Sequence, residues 1–521
     1  MAEAEIKIVG SSTFGRYPTI SLEKTLNMFI SNDWLVSYPG FKNVLDFREG
    51  ELGRGLFHSI RGGFLVYVVG SSVYKITSGL GKVKIGTMKS RVGEVYIAEN
   101  LSSQICIVDG VDAYIYNWKL RSLTAQNFSQ PPGYVSYHNS FFLITSDENA
   151  LNPQNWYVYE LTTGDATSIT KLADNVGGTF SIQTKPDICL AVHRIPGRGN
   201  NIIAIGSSVS EIYSMVGGTE NYRRNSGFNI NSGCVSKSTI AYSDNVVCWL
   251  GKNESNAPII MFTDGSQVEQ LSTDGINYLL QEITTPLEST AFFFKQDGHL
   301  FYQLTFYNEN DNISLIYDFM TKMFFHVSDY KSNFHPARQV VYFEEKSYFA
   351  SISDGSVYEM SSDIIDQVNI VGDSEGEILP RVRICNTIRQ PSTAPFRVNY
   401  FTFAMEQGVN TYPLTDVDET SCTDVLIGED GFLLISEGSV QLQGEDGVCG
   451  LNPNRPCVDM AISKNGAISF SNSVRRYLNA EGQYRNIINW HRLGFANQFT
   501  IELRFVGLQR FVVNNGLVEI A

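Results

Sequence analysis

The chain has 521 residues, with 39 Lys or Arg against 54 Asp or Glu and a net charge of −15. Only 18% of its residues are charged and 12% are aromatic, whereas disorder requires few aromatics and dense charge. With no Lys/Arg run, it also lacks the electrostatic footprint of a protein that wraps nucleic acid.

The opening, Met1-Ala-Glu-Ala-Glu-Ile-Lys7, is acidic and has no apolar h-region, so no signal peptide is expected. Residues 1–39 are read as a strand segment that completes the following domain or contacts a neighbour. The best apolar run, Phe64-Leu-Val-Tyr-Val-Val69, falls far short of the roughly 18 residues of a membrane span. Helical spacing is not sustained anywhere; short β-branched and aromatic runs recur between Asp-Gly, Asn-Gly and Gly-Gly turns. The chain is therefore expected to be all-β.

From residue 40 the strands repeat: an apolar strand, a Gly- or Asp-containing turn, then a strand bearing an anchor. Gly70-Ser-Ser-Val-Tyr-Lys-Ile76, Gly206-Ser-Ser-Val-Ser-Glu-Ile-Tyr213 and Asp354-Gly-Ser-Val-Tyr-Glu-Met360 are clear copies. Taking Tyr74, Tyr116, Tyr159, Tyr213, Val268, Tyr317 and Tyr358 as anchors, the spacing is 41 to 55 residues. Four short strands per unit at that period predict a β-propeller of six or seven blades over 40–365. Residues 366–380 are polar and Gly-containing, a linker or a strand exchange. Beyond them, 381–521 reads as an antiparallel β-sandwich, with strands such as Val398-Asn-Tyr-Phe-Thr-Phe-Ala404. Its insertion, 406–448, is acidic: between Arg397 and Arg455 stand ten acids and no Lys or Arg.

The eight cysteines include no C-x-x-C pair, so neither zinc nor a disulfide framework is expected; they read as reduced, mostly buried thiols. No P-loop, nucleotide-binding Gly-rich loop, H-E-x-x-H or G-x-S-x-G elbow is present. The seven histidines stand apart. His299 follows the Asp297-Gly298 turn into a strand and is expected to bond a neighbouring backbone group rather than to catalyse. Ser463-Lys-Asn-Gly-Ala-Ile-Ser-Phe470 is similar to a sialidase Asp-box, but Asn465 occupies the acid position and the spacing is one residue short. It reads as a turn with an aromatic plug. Arg194, Arg198, Arg223 and Arg224 could touch phosphate, but paired loop arginines more often face solvent or an interface.

The middle of the chain carries a more specific pattern. Gly206 to Gly217, Gly233-Cys-Val-Ser-Lys-Ser-Thr-Ile-Ala241 and Asp244-Asn-Val-Val-Cys-Trp-Leu-Gly251 follow in order, then Gly298-His-Leu-Phe-Tyr302 and Ile316-Tyr-Asp-Phe319. With Tyr38-Pro-Gly-Phe41 before and Trp490-His-Arg-Leu-Gly494 after, this run resembles the packaged-DNA stabilisation proteins of short-tailed bacteriophages, the tail hub or nozzle proteins. Trp249, Gly251, His299, Tyr317 and Asp318 are its structural signature. The resemblance implies a virion tail protein made in the host cytoplasm. It would form a homo-oligomer, a hexameric ring beneath the portal and adaptor ring that holds packaged double-stranded DNA in and conducts it out. Tail fibres or spikes and a plug or needle protein are the implied partners. It implies no catalytic residue, metal or cofactor. The chain departs from the pattern where Phe324 and Phe325 replace a second Trp, and in the acidic insertion. There Asp416, Asp418, Glu419, Glu429 and Asp430 are candidates to line the DNA channel by repelling phosphate. Two other readings stay open: a receptor- or glycan-binding propeller of the tail, and a divergent propeller glycosidase.

Overall fold

The computed structural model describes residues 2–14, 22–47, 51–195, 197–217, 220–243, 246–252, 256–265, 267–373, 376–390, 394–407, 456–479 and 484–520. The chain forms two units. One gathers Met1–Ser12, Tyr17–Tyr38 and Pro380–Ala521; the other comprises Thr13–Arg16 and Pro39–Leu379.

The larger unit contains seven antiparallel blades of four main strands. Blades 1 to 6 span 53–87, 96–126, 132–181, 189–230, 241–270 and 289–327. Blade 7 takes three strands from 337–361, and its fourth is Gly40–Leu45, which pairs antiparallel with Val357–Ser361. A strand from the start of the domain thus completes its last blade, which satisfies an edge that would otherwise be open. Of the roles open to 1–39, completing the ring falls instead to this next strand. The segment read as a linker or exchange supplies two more strands: Asp366–Val368 runs parallel to Gly40–Leu45 and pairs with Glu377–Ile378.

The core lies between blades. Val66, Val68, Ile105 and Ile107 form one cluster from blades 1 and 2, and Cys248, Leu250, Leu304 and Leu315 another from blades 5 and 6. Leu65, Tyr67, Phe343 and Tyr348 join blade 7 to blade 1 and close the ring. Strands buried on both faces need continuous apolar runs, and Phe64–Val69 is buried at all six positions. Six of the seven anchors lie on third strands, with Tyr74 opposite Tyr67, Tyr159 opposite Phe142 and Tyr358 opposite Phe349. Val268 is the exception. It lies on the fourth strand of blade 5, whose third strand, Pro258–Thr263, has no tyrosine.

One α-helix, Asp274–Glu282, joins blades 5 and 6 and buries Ile276 and Leu280 at i, i+4 spacing. Nine residues are too few to produce the longer periodic pattern sought in the sequence.

The smaller unit is a two-sheet antiparallel sandwich. One sheet runs Met28–Ser31, Trp34–Ser37, Val512–Ile520, Phe396–Met405, Ile487–Ala496, with Ala2–Ile6 also on Val512–Ile520. The other runs Lys24–Leu26, Arg381–Ile384, Gln498–Val506, Cys457–Ser463, Val474–Tyr477. Rings from the two sheets meet between them: Phe396 and Phe499 lie 5.3 Å apart, and Phe505 and Phe511 5.5 Å. N-terminal strands are therefore part of the sandwich read at 381–521. Arg383 is fully buried there, bonded to Glu23 Oε2 at 2.6 Å and to the carbonyls of Lys7 and Ser11.

Candidate functional site

The signature residues build hairpins and core. Trp249 is fully buried between blades 4 and 5, and its indole N–H donates to the Gly233 carbonyl at 3.2 Å. Gly251 pairs in a bridge with Cys234. A Cβ at Gly251 would sit 2.7 Å from Met261 and 2.8 Å from the Ser232 hydroxyl, so the close approach requires glycine. Asp297 (φ 50°) and Gly298 (φ 84°) form the tight turn that starts the strand His299–Phe306.

His299 takes a side-chain partner: its Nδ1 lies 2.9 Å from Asp318 Oδ2, and both side chains are buried. Asp318 also opens a turn. Asp318 accepts hydrogen bonds from the Met320 and Thr321 N–H groups and from the Thr321 hydroxyl, and a buried carboxylate requires its bonding capacity to be met. Tyr317, across from Tyr302, packs on Phe319 at 5.0 Å and on Phe324 at 4.7 Å.

At the centre of the ring the first strands of successive blades pack together, from Gly53–Ser59 against Tyr96–Glu99 through to Ala337–Phe343 against Gly53–Ser59. Side chains on and beside these strands crowd the axis. Tyr96 and Tyr134 rings lie 4.6 Å apart, and His193 and Tyr242 rings 4.1 Å. Arg338 of blade 7 bonds Glu94 at 2.8 Å. Lys237, leading into blade 5, lies 5.8 Å from the Tyr96 ring of blade 2 and 3.4 Å from Asp147 of blade 3. Blades 2 and 5 are three apart in a ring of seven, so Lys237 reaches across the axis. Burial, with Glu94 beside it, holds the Tyr96 hydroxyl well above its ordinary pKa. The major groove of B-DNA alone is about 12 Å wide. No duplex passes through this propeller. Nothing local in the sequence signals that residues of blades 2, 3 and 5 converge.

Carboxylates tie loops to blades elsewhere, Glu211 and Asp311 buried and Asp187 half-buried. Asp187 accepts the N–H groups of Ser207, Ser208 and Val209, and Glu211 those of Gln183 and Thr184. Asp311 does the same for Thr284 and Thr285. Burial pushes each of these acids up, but the hydrogen bonds outweigh it and hold all three below the ordinary carboxylate range.

The arginines weighed for phosphate have other surroundings. Arg223 pairs with Glu220 and Arg224 with Glu211, while Arg194 and Arg198 are exposed. The Asp-box-like segment is a turn tied by Ser463, whose hydroxyl accepts the Ala467 N–H and donates to Asn465. The six described cysteines are buried free thiols. Asp416, Asp418, Glu419, Glu429 and Asp430 lie outside the described residues. Among the described residues there is no cluster of His, Cys, Asp and Glu able to hold a metal, and no helix is long and apolar enough to cross a membrane.

Residues 15–365 match the family model described as Bacteriophage P22 Gp10, beta-propeller. The chain belongs to this phage family. It is a phage virion structural protein built on a β-propeller, and the match covers all seven blades together with residues 17–38 of the smaller unit. Comparison with curated protein sequences returns no match. Among solved structures it is similar to virginiamycin B lyase from Staphylococcus aureus (10% identity, TM-score 0.42, covering 62% of this chain and 99% of that one). It is also similar to the RRP9 WD40 repeats (8%, 0.40, 63% and 99%) and the N-terminal domain of Nup159 (12%, 0.37, 68% and 99%). Likenesses this distant speak to neither activity nor partner.

Proposed function

We propose that several copies of this chain, six by the family resemblance, form a ring in the phage tail that retains packaged double-stranded DNA and conducts it out on ejection. The observation that carries this reading is the filled propeller axis of a phage structural protein. A single copy has no bore through its propeller, so a conduit requires copies arranged around a common axis, each propeller serving as wall. Above the ring stand the portal and adaptor; fibres or spikes and a plug or needle protein complete the tail. The chain acts as structure and not as an enzyme: His299 and Asp318, buried together, are engaged in holding a hairpin.

The acidic insertion fits a conduit wall. Acids near a moving duplex avoid the salt-sensitive affinity that Lys and Arg would add, and they act only within about 8 Å at physiological salt. Replacing Asp416, Asp418, Glu419, Glu429 and Asp430 by Asn or Gln should slow DNA ejection from complete particles, with the delay shrinking as salt rises. Normal ejection with fewer attached fibres would instead give the segment to fibre docking, through Phe432 to Ile435.

Particles assembled without this protein test the main reading. They should package DNA and then lose it, measured as nuclease-protected genome per capsid. Full retention and normal ejection would refute it.

A further inference from the structure

We propose that the propeller carries a binding site for a neutral oligosaccharide in the cleft between blades 6 and 7. The cleft measures about 600 Å³, within the range of roughly 300–1,000 Å³ typical of small-molecule sites. Three loops and the segment 367–369 line it: the loops are the turn between the second and third strands of blade 6, its counterpart in blade 7, and the 329–336 connection between the blades.

The lining combines two kinds of surface. Tyr307, Tyr330 and Phe334 present half-buried rings, with Phe334 edge-on to Tyr307 at 6.5 Å. Between them lie planar polar groups that the fold holds in place. Asn333 accepts a hydrogen bond from Asn312 Nδ2 at 2.8 Å through its own Oδ1, and its backbone N–H donates to Asp329 Oδ1 at 2.7 Å. Asn369 Oδ1 accepts from Gln367 at 2.9 Å. These bonds orient the groups yet leave Asn333 Nδ2, Asn369 Nδ2 and Asp329 Oδ2 without a bond among the described residues. Two donors and an acceptor therefore remain beside the rings, of which Tyr330 has Lys331 Nζ over one face at 5.2 Å and Tyr307 has the Arg338 guanidinium at 5.5 Å.

A pyranose has this complement: an apolar C–H face for a ring, and adjacent hydroxyls that each donate and accept. Charge narrows the class further. Glu309, Asp329 and Asp354 line the cleft against Lys331 alone, so phosphate, sulfate and nucleic acid are disfavoured. Such a site would give the tail a contact with a sugar-coated surface.

The test applies the full chain, labelled at its N-terminus, to a printed array of neutral and anionic oligosaccharides, then titrates the strongest binder in solution. Neutral glycans should be retained, and Tyr330→Ala should weaken binding at least tenfold. If that variant does not fold, Asn333→Asp, which removes the free donor, should do the same at unchanged Tm. No neutral glycan retained, retention of anionic glycans alone, or binding that both substitutions leave intact would overturn the proposal.

Discussion

His335 is fully buried against the rings of Phe41 at 5.0 Å and Phe349 at 5.6 Å, and its Nδ1 accepts the Ala337 N–H. Burial lowers its pKa to about 3 and that of His193 to about 4. Both histidines are neutral in the fold, whereas in the unfolded chain they gain a proton near the ordinary 6.5. The unfolded state then binds more protons, so their contribution to stability is complete above pH 6.5 and is lost as pH falls toward 4. The unfolding free energy in urea should drop between pH 7 and 4.5 by up to about 1.4 kcal/mol per pH unit for each such histidine. His335→Asn, which keeps an acceptor near Nδ1, should flatten that slope. Asp187, Glu211 and Asp311 have lowered pKa values, so their share goes only below the ordinary carboxylate range, near pH 4. Trp249→Ala should cost about 3–5 kcal/mol by the same assay, the range for emptying a large buried aromatic site. An unchanged midpoint would remove Trp249 from the core. That Trp249 is structural was legible from the family resemblance and its place at a strand–turn junction. The His299–Asp318 bond was not, because it joins residues 19 apart that only the hairpin register brings together.

The strand Gly40–Leu45 is the element on which the ring closes. Phe41, fully buried, meets the rings of His335, Phe349 and Tyr358 within 5.6 Å. Phe41→Ala should therefore loosen blade 7 first. Hydrogen exchange should rise across Ala337–Phe343, Lys346–Ser351 and Val357–Ser361 before it rises in blades 2 to 4, with a global cost of about 3–5 kcal/mol. Uniform exchange in all blades would mean the ring does not open there. Strand runs and their Asp-Gly turns were readable because β-branched alternation and positive-φ turn residues are local signals. Other tight turns were not: Asn139-Ser140 and Glu344-Glu345 both take positive φ without glycine. Val268 misled for a related reason. A repeat identified by one anchor type slips a strand where blade 5 uses Phe262 opposite Cys248 instead of tyrosine.

For the whole molecule, the sequence's repeat period predicted the propeller, and the structure sets the blade number at seven. Partner choice over long separations was hidden: Met28–Ser31 and Trp34–Ser37 look like propeller strands yet join a sheet with Val512–Ile520. Apolar alternation tells that a strand is buried, not against what. At −15 per copy, six copies sum to −90, and like charges oppose assembly unless specific interfaces overcome them. The isolated protein should be monomeric at micromolar concentration by native mass measurement, and ring formation should require the adaptor or high concentration. In the proposed ring, DNA passes between copies and not through any one of them. Cryo-EM of intact virions is the decisive measurement. It should show several copies ringed about the tail axis, with duplex density bounded by their outer surfaces and none within a propeller. Duplex density threading a seven-bladed axis, or a tail whose DNA path this protein does not border, would contradict it.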